Sequence, residues 1–262
     1  KFMPLYRNKM WDGKARLYSL YKKELYVGLL PYLKEFADTL EYDLEVDNDS
    51  FIKELKLKQE DPKKSNRIWM QHLKVRLGYE NNDIVIPAYL NDKEIKISEA
   101  KGMNKPNYIL PNGVGVGYGY FKMDPLSRSF LLENLPEFND PYLRGIIWLN
   151  LWDDMLYGNI EPIDMIDLCI NALETENDIL NTQRILGRLN STFWNFLSDE
   201  QRKEKADELE SILKRHMNEA TTVTNRSMYF RSLRSIVLSE NGYNWLKSIW
   251  MKVDSIKGLT LS

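Results

Sequence analysis

With 262 residues, 43% of them hydrophobic and 12% aromatic, the chain has material for one large or two ordinary packed domains, which excludes a disordered polypeptide. Lysine and arginine number 36 against 38 aspartate and glutamate, so the net charge of -2 gives no global pull toward nucleic acid or an anionic membrane, and any such preference must be local. The single cysteine, Cys169, excludes an internal disulfide, and no apolar run approaches the ~20 residues of a membrane span.

The opening segment, residues 1–55, is basic and aromatic. Lys1, Arg7, Lys9, Lys14, Arg16, Lys22 and Lys23 are interleaved with Phe2, Tyr6, Trp11, Tyr18, Tyr21 and Tyr26. Asp12-Gly13 is a tight-turn signal, and the alternation in Ala15-Arg16-Leu17-Tyr18 predicts a strand after it. Pro31 opens a short predicted helix with Leu33, Phe36, Ala37 and Leu40 on one face, and Asp43 to Val46 predicts a further strand. Cations among stacking rings suit phosphate and base contacts, which makes Arg7, Lys9, Trp11, Lys14 and Arg16 the candidate DNA-contacting residues. The alternative is a solvated strand edge, which lysines commonly protect.

Asn48-Asp49-Ser50 predicts the cap of a short helix from Phe51 to Lys58. The charged, proline-bearing stretch Gln59 to Ser65 then reads as an exposed connection, and a boundary between units is expected between residues 50 and 60.

Residues 59–124 carry short β signals. Ile68 to Tyr79 alternates, Ile84-Val85-Ile86 and Ala88-Tyr89-Leu90 flank Pro87 as an edge or bulge would, and Glu94 to Ile97 follows an Asn91-Asp92 turn. Tyr108 to Leu110 and Tyr118 to Phe121 enclose Gly113, Gly115, Gly117 and Gly119, which predicts a glycine-punctuated hairpin and, over the whole stretch, a small β-sandwich. A phosphate loop requires strand, glycine turn and then helix; here strand-like residues follow the glycines. They are expected to allow close approach of a neighbouring backbone or aromatic ring.

From Pro125 onward the spacing is helical: Leu126–Leu135, Pro141–Tyr157, Pro162–Leu173, Asp178–Leu189, Ser198–Met217, Asn225–Leu238 and Asn241–Val253. Pro141 and Pro162 suit first helical positions, and Ser198 with Gln201 suits a capping box. Helix pairs at intervals of roughly 35–40 residues predict a solenoid-like array. The class expected is α+β and multidomain, with a small α/β basic segment (1–55), a β-sandwich (59–124) and a helical array (125–262). Cys169, between Leu168 and Ile170, is expected to be buried and inert. His72 and His216 are expected to be structural, His216 on the surface near a helix end, and Asp153-Asp154 and Glu174/Glu176 to be solvated helix ends.

Two resemblances enter here. Tyr6-Arg7-Asn8-Lys9-Met10-Trp11-Asp12-Gly13-Lys14, Arg16-Leu17 and Leu25-Tyr26-Val27-Gly28-Leu29-Leu30 resemble the N-terminal domain of UvsW-type phage DNA helicases. The likeness implies a DNA-contacting segment of about 50 residues; no Gly-x-x-x-x-Gly-Lys-Ser/Thr motif accompanies it, so helicase activity is not implied.

The larger resemblance covers residues 59–262. Gln59-Glu60-Asp61-Pro62, Asn66-Arg67-Ile68-Trp69, the run from Tyr108 through Pro111-Asn112-Gly113 to Tyr118-Gly119-Tyr120-Phe121, and Leu143-Arg144-Gly145 through Trp148, Leu151-Trp152-Asp153, Met155-Leu156 and Gly158 are similar to the C-terminal half of aminopeptidase N-type zinc aminopeptidases. That likeness implies a β-sandwich followed by a helical domain that caps a separate catalytic domain. The family's zinc sits on His-Glu-x-x-His with a downstream Glu, and this chain, with His72 and His216 alone, has neither that motif nor Gly-x-Met-Glu-Asn. No catalytic residue, metal or cofactor is therefore assigned to it. The likeness also implies basic helical-domain residues that hold a peptide's terminal carboxylate, which puts Arg226 first as a substrate-binding candidate, with Arg231 and Arg234 weaker; the alternative is an ordinary surface or ion-paired arginine. The function expected is the non-catalytic part of such an aminopeptidase behind a foreign N-terminal segment, reaching peptide through the missing catalytic domain, with DNA as a partner of the first segment and no membrane. The alternatives are a DNA-binding accessory module and a helical protein-interaction scaffold. Nothing in the sequence assigns a compartment.

Overall fold

The computed structural model describes residues 39–80 and 82–259, together with two short strands at 18–19 and 24–25. The described residues make an α+β fold in which strands come first and helices follow. β1 (Tyr18–Ser19) and β2 (Glu24–Leu25) form an antiparallel pair. Leu33, Phe36 and Ala37 of the predicted first helix lie outside the described residues. Leu40, assigned to the same helix face, is instead a fully buried strand residue.

Two small sheets share one hydrophobic cluster. The first has the order β7-β4-β3-β9, built from β3 (Thr39–Val46), β4 (Ile52–Glu60), β7 (Glu94–Lys96) and β9 (Tyr120–Phe121), with β9 parallel to β3 and the other pairs antiparallel. The second is antiparallel with the order β6-β5-β8, from β5 (Gln71–Gly78), β6 (Asp83–Leu90) and β8 (Tyr108–Leu110). Leu55 and Leu57 from one sheet, Leu73, Val75 and Leu77 from the other, and Phe121 meet between them. Alternation produces this arrangement: β5 turns Leu73, Val75 and Leu77 inward while His72 and Lys74 stay in water. Pro87 sits on β6, an edge strand, where its missing N–H costs no ladder bond on the open side.

The stretch predicted as a helix from Phe51 to Lys58 is β4. Glu45 pairs with Glu54 but Val46 pairs with Ile52, so Lys53 is an extra residue in a β-bulge. The bulge turns Ile52 and Leu55, three positions apart, into the same core and imitates helical spacing. β4 also runs through residues 55–59, so the four-stranded sheet combines residues from both sides of the expected boundary.

The glycine-rich stretch is likewise not a hairpin. β8 pairs with β5 in one sheet and β9 with β3 in the other, so residues 111–119 cross between sheets. Gly113 and Gly117 serve close approach, as expected, whereas Gly115 and Gly119 hold positive φ angles of 68 and 141. A Cβ on Gly113 would lie 2.6 Å from Arg76 Cβ and 2.8 Å from the Lys74 carbonyl oxygen, and one on Gly117 would lie 2.5 Å from the Phe121 ring. Asn112 pins the turn by accepting the Gly117 N–H at 2.9 Å.

The predicted helices all form: α1 (Pro125–Asn134), α2 (Pro141–Leu156), α3 (Pro162–Thr175), α4 (Ile179–Asn195), α5 (Asp199–Glu219), α6 (Val223–Ile236) and α7 (Glu240–Trp250). Their starts are chemically specified. Proline occupies the first turn of α1, α2 and α3; Asp124, Asp140, Asp178, Thr222 and Ser239 accept first-turn N–H groups of α1, α2, α4, α6 and α7; and Ser198 with Gln201 closes a capping box on α5. Each side-chain cap contributes about 1 kcal/mol. α3 packs on α4 and α5 on α6, while α4 lies against α6 and α3 against α5, so helical hairpins stack in layers. α2 is apolar around much of its circumference, with Ile147, Trp148 and Leu151 fully buried, because it is enclosed by its neighbours.

β8 joins the two cores. Its central residue, Ile109, faces the sheets, while Tyr108 and Leu110 on its other face join the helical cluster. Polar bonds reinforce the contact: the Tyr42 hydroxyl donates to Asp124, and the Ile109 N–H donates to Ser127 Oγ at 2.9 Å.

Candidate functional site

The stacking of α4 on α6 leaves an open cleft of about 200 Å³ on the surface, lined by Gln183, Gly187 and Asn190 from α4 and by Met228, Arg231 and Ser232 from α6, with Leu186 at its base. The two helices are tied along this edge. Asn190 Nδ2 donates to Ser232 Oγ at 2.8 Å and to the Leu186 carbonyl at 2.9 Å, Ser235 Oγ donates to Asn190 Oδ1, and Trp194 Nε1 donates to the Ser235 carbonyl at 2.8 Å. The walls are therefore held at fixed spacing.

Gly187 forms part of the lining. It lies in the interior of α4, exposed, and a Cβ built on it meets nothing within 4 Å. Glycine at an exposed helix-interior position costs about 1 kcal/mol relative to alanine. No packing contact here requires it, and its effect on shape is to deepen the cleft.

Of the three arginines singled out in the sequence, the structure brings only Arg231 to this cleft. Arg231 is exposed, and among the described residues it forms no ion pair. Its guanidinium can present parallel N–H donors to a carboxylate. Arg226 is committed elsewhere: Nε donates to the Met217 carbonyl at 3.4 Å, Nη1 to the Lys257 carbonyl at 2.8 Å, and Nη2 to the Ala220 carbonyl. It satisfies the C-terminus of α5 and anchors the segment after α7. Arg234 lies 5.9 Å over the Phe230 ring and away from the cleft lining. Arg7, Lys9, Trp11, Lys14 and Arg16 lie outside the described residues.

The carboxylates read as solvated helix ends are mostly not solvated. Asp154 has no exposed side-chain surface; it accepts the Tyr120 hydroxyl at 2.6 Å and Arg128 Nε at 2.7 Å. Asn159 donates to the same hydroxyl at 2.6 Å, and Tyr157 stacks on Tyr120 with ring centroids 3.6 Å apart. Burial, and then the bond to Asp154, pushes the Tyr120 phenol up. Burial also pushes the neighbouring Asp153 carboxyl up to about 7, against a smaller opposing effect of Arg188. Glu176 is buried too and holds Arg144 through two bonds of 2.8 and 2.5 Å. Only Glu174, 42% exposed and paired with Arg215, fits the solvated reading. β9 and the α2–α3 packing bury these groups, and neither is visible from α2 alone.

The histidines are apart and differently engaged. His72 is exposed on β5 and stacks on Tyr89 at 4.4 Å. His216, expected on the surface, is largely buried in the last turn of α5; it stacks on Tyr229 at 5.3 Å, with Nε2 3.5 Å from Glu174. Among the described residues no three His, Cys, Asp or Glu side chains are grouped to hold a metal ion. Cys169 is buried, and burial pushes its thiol up, away from nucleophilic use. No described helix is long and apolar enough to cross a membrane.

No family model matches the chain, and no curated protein matches it.

Proposed function

We propose that residues 59–262 act as the non-catalytic sandwich-and-helix part of an aminopeptidase N-type zinc aminopeptidase, with the α4–α6 cleft holding the terminal carboxylate of a peptide and a foreign segment at the N-terminus. The observation that carries this reading is the exposed guanidinium of Arg231, free of ion pairs among the described residues, at the rim of a cleft that Gly187 deepens at the expense of helix stability. The amide of Gln183 on one wall supplies hydrogen-bonding groups for peptide backbone, and Met228 supplies apolar surface. The order of sheets before stacked helical hairpins supports the same layout, with the helical part a solenoid-like domain joined to the sheets through β8. The zinc and the water it activates belong to the missing catalytic part, and hydrolysis is not assigned to these residues.

Calorimetric titration with a short peptide tests the reading. The wild-type chain is expected to bind a peptide with a free C-terminal carboxylate, and Arg231→Gln to weaken that binding by roughly tenfold, the scale of one charge-assisted hydrogen bond. Equal affinity of the two proteins for the peptide would remove Arg231 from the site.

A further inference from the structure

The stacked helices are divided by charge. α4 and α6 carry five arginines, Arg184, Arg188, Arg226, Arg231 and Arg234, and no aspartate, glutamate or lysine. α3, in the other layer, carries Asp164, Asp167 and Glu174 and no lysine or arginine. Carboxylates of α3 are matched by cations of its neighbour α5: Lys205 pairs with Asp167 at 2.8 Å, and Arg215 pairs with Glu174. Arg188 lies 4.1 Å over the Trp152 ring and acts on Asp153. Among the described residues the other four arginines of α4 and α6 make no ion pair; Arg226 bonds carbonyl groups and Arg234 lies over a ring. Asp178 caps α4 through the Asn181 N–H at 2.9 Å and does not pair with Arg184. On a chain of net charge -2, the helices that line the cleft therefore present positive charge with few counterions.

The two helices run parallel, because the bonds between them advance together from Asn190 and Ser232 to Trp194 and Ser235. Packed helices lie about 8–10 Å apart, close to the Debye length of about 10 Å at 0.1 M salt, so their charges add at low ionic strength. Arg184 stands three residues before Gly187, on the same face of α4. It is exposed and turned toward α2: Nη1 donates to the Gly145 carbonyl at 3.2 Å and to Asn181 Oδ1 at 3.3 Å, while Nε and Nη2 have no protein partner among the described residues. Gly187, where a Cβ meets nothing within 4 Å, thus lies between Arg231 on the α6 wall and Arg184 on the α2 side. Arginine forks match a planar carboxylate better than lysine does. A cleft of about 200 Å³ takes a side chain rather than a nucleic-acid strand, and Arg226 and Arg234 do not line it, so the cations form no track for successive phosphates. Resting on the reading of this cleft as a carboxylate site, we propose that it selects peptides with glutamate or aspartate directly before the terminal residue, the acidic side chain crossing Gly187 toward Arg184.

Calorimetry on the full chain, with two peptides identical but for glutamate or glutamine at the penultimate position, tests this. The wild type is expected to bind the glutamate peptide about fivefold tighter, the scale of one exposed ion pair, with the ratio falling toward one as salt is added. Arg184→Gln is expected to bring the ratio near one. That substitution also removes the bond to Gly145, so Thr224→Glu serves as a second variant. Thr224 is exposed and shares a stripe of α6 with Met228 and Arg231, and a carboxylate there repels the acidic peptide while every arginine stays in place, so the ratio falls again. Equal affinities in the wild type, or a ratio that neither variant changes, overturn the proposal; the loss expected with Arg231→Gln would then still uphold the carboxylate site itself. Binding of neither peptide removes both readings. A single-stranded oligonucleotide that displaces both peptides assigns the arginines to nucleic acid and overturns the selection of acidic peptides.

Discussion

The Tyr120 hydroxyl donates to the buried carboxylate of Asp154 at 2.6 Å, tying β9 of the four-stranded sheet to the interior of α2. Arg128 of α1 completes the group at 2.7 Å, so one carboxylate holds elements from the sheet and from two helices. The junction between strands and helices is therefore a polar lock set in apolar packing.

That lock predicts an asymmetry between two substitutions. Tyr120→Phe removes one partner of Asp154 and leaves Arg128 in place, and is expected to cost about 1–2 kcal/mol. Asp154→Ala leaves the Arg128 guanidinium largely buried without its counterion and is expected to cost about 3–5 kcal/mol. Urea unfolding of both variants measures the difference. Equal costs would mean that the ion pair adds nothing beyond the tyrosine bond.

The neighbouring Asp153 predicts a pH effect of the opposite sign to ordinary acid denaturation. Burial raises its carboxyl from 3.8 to about 7, so between those values the folded chain holds a proton that the unfolded chain has released. This group's contribution to stability therefore falls as pH rises through that window, by about 1.4 kcal/mol per pH unit at most. Asp153→Asn removes the titration. Stability of the variant relative to wild type should increase from pH 4 toward about pH 7 and then level off; a pH-independent difference contradicts the assignment.

Glu210 of α5 accepts the Leu238 N–H at 2.8 Å, the Ser239 N–H at 2.9 Å and Ser239 Oγ at 2.5 Å, so it fixes the entry into α7. A Cβ on Gly242 would lie 2.1 Å from its carboxylate. Glu210→Ala is expected to cost about 1–3 kcal/mol and to raise amide exchange in α7 ahead of the rest of the helical core. Uniform exchange along all seven described helices would show that Glu210 is not what holds α7.

How much of this was legible in the sequence depends on where the deciding contact lies. Helix starts were readable because their signals are local: Asp124 and Asp140 directly precede proline, and Ser198 stands three residues before Gln201. β4 was not, because the bulge at Lys53 shifts Ile52 onto the inward face beside Leu55 and erases the alternation that marks a strand. The glycine stretch misled for a related reason. Its flanking strands find partners some thirty and eighty residues earlier in the chain, in different sheets, a pairing that spacing does not encode. The place in a late helix singled out Arg226 and left Arg231 a weaker candidate, because the parts that make its surroundings a cleft, Gly187 and the Asn190–Ser232 tether, depend on α4. A glycine in an otherwise regular amphipathic helix was the available signal.

Gly187 carries a prediction of its own. Gly187→Ala should raise stability by about 1 kcal/mol, since the methyl meets open space and the helix gains propensity. The same methyl narrows the cleft, so peptide affinity should fall as the melting temperature rises. Unchanged affinity would mean that the glycine has no part in binding.

The most direct test crosses Arg231→Gln with amidation of the peptide's C-terminus, measuring all four affinities. If the guanidinium holds the terminal carboxylate, amidation weakens binding to the wild type by roughly tenfold and hardly alters binding to the variant, because the partner is already gone. Losses that simply multiply would place the carboxylate somewhere other than Arg231 and contradict the account.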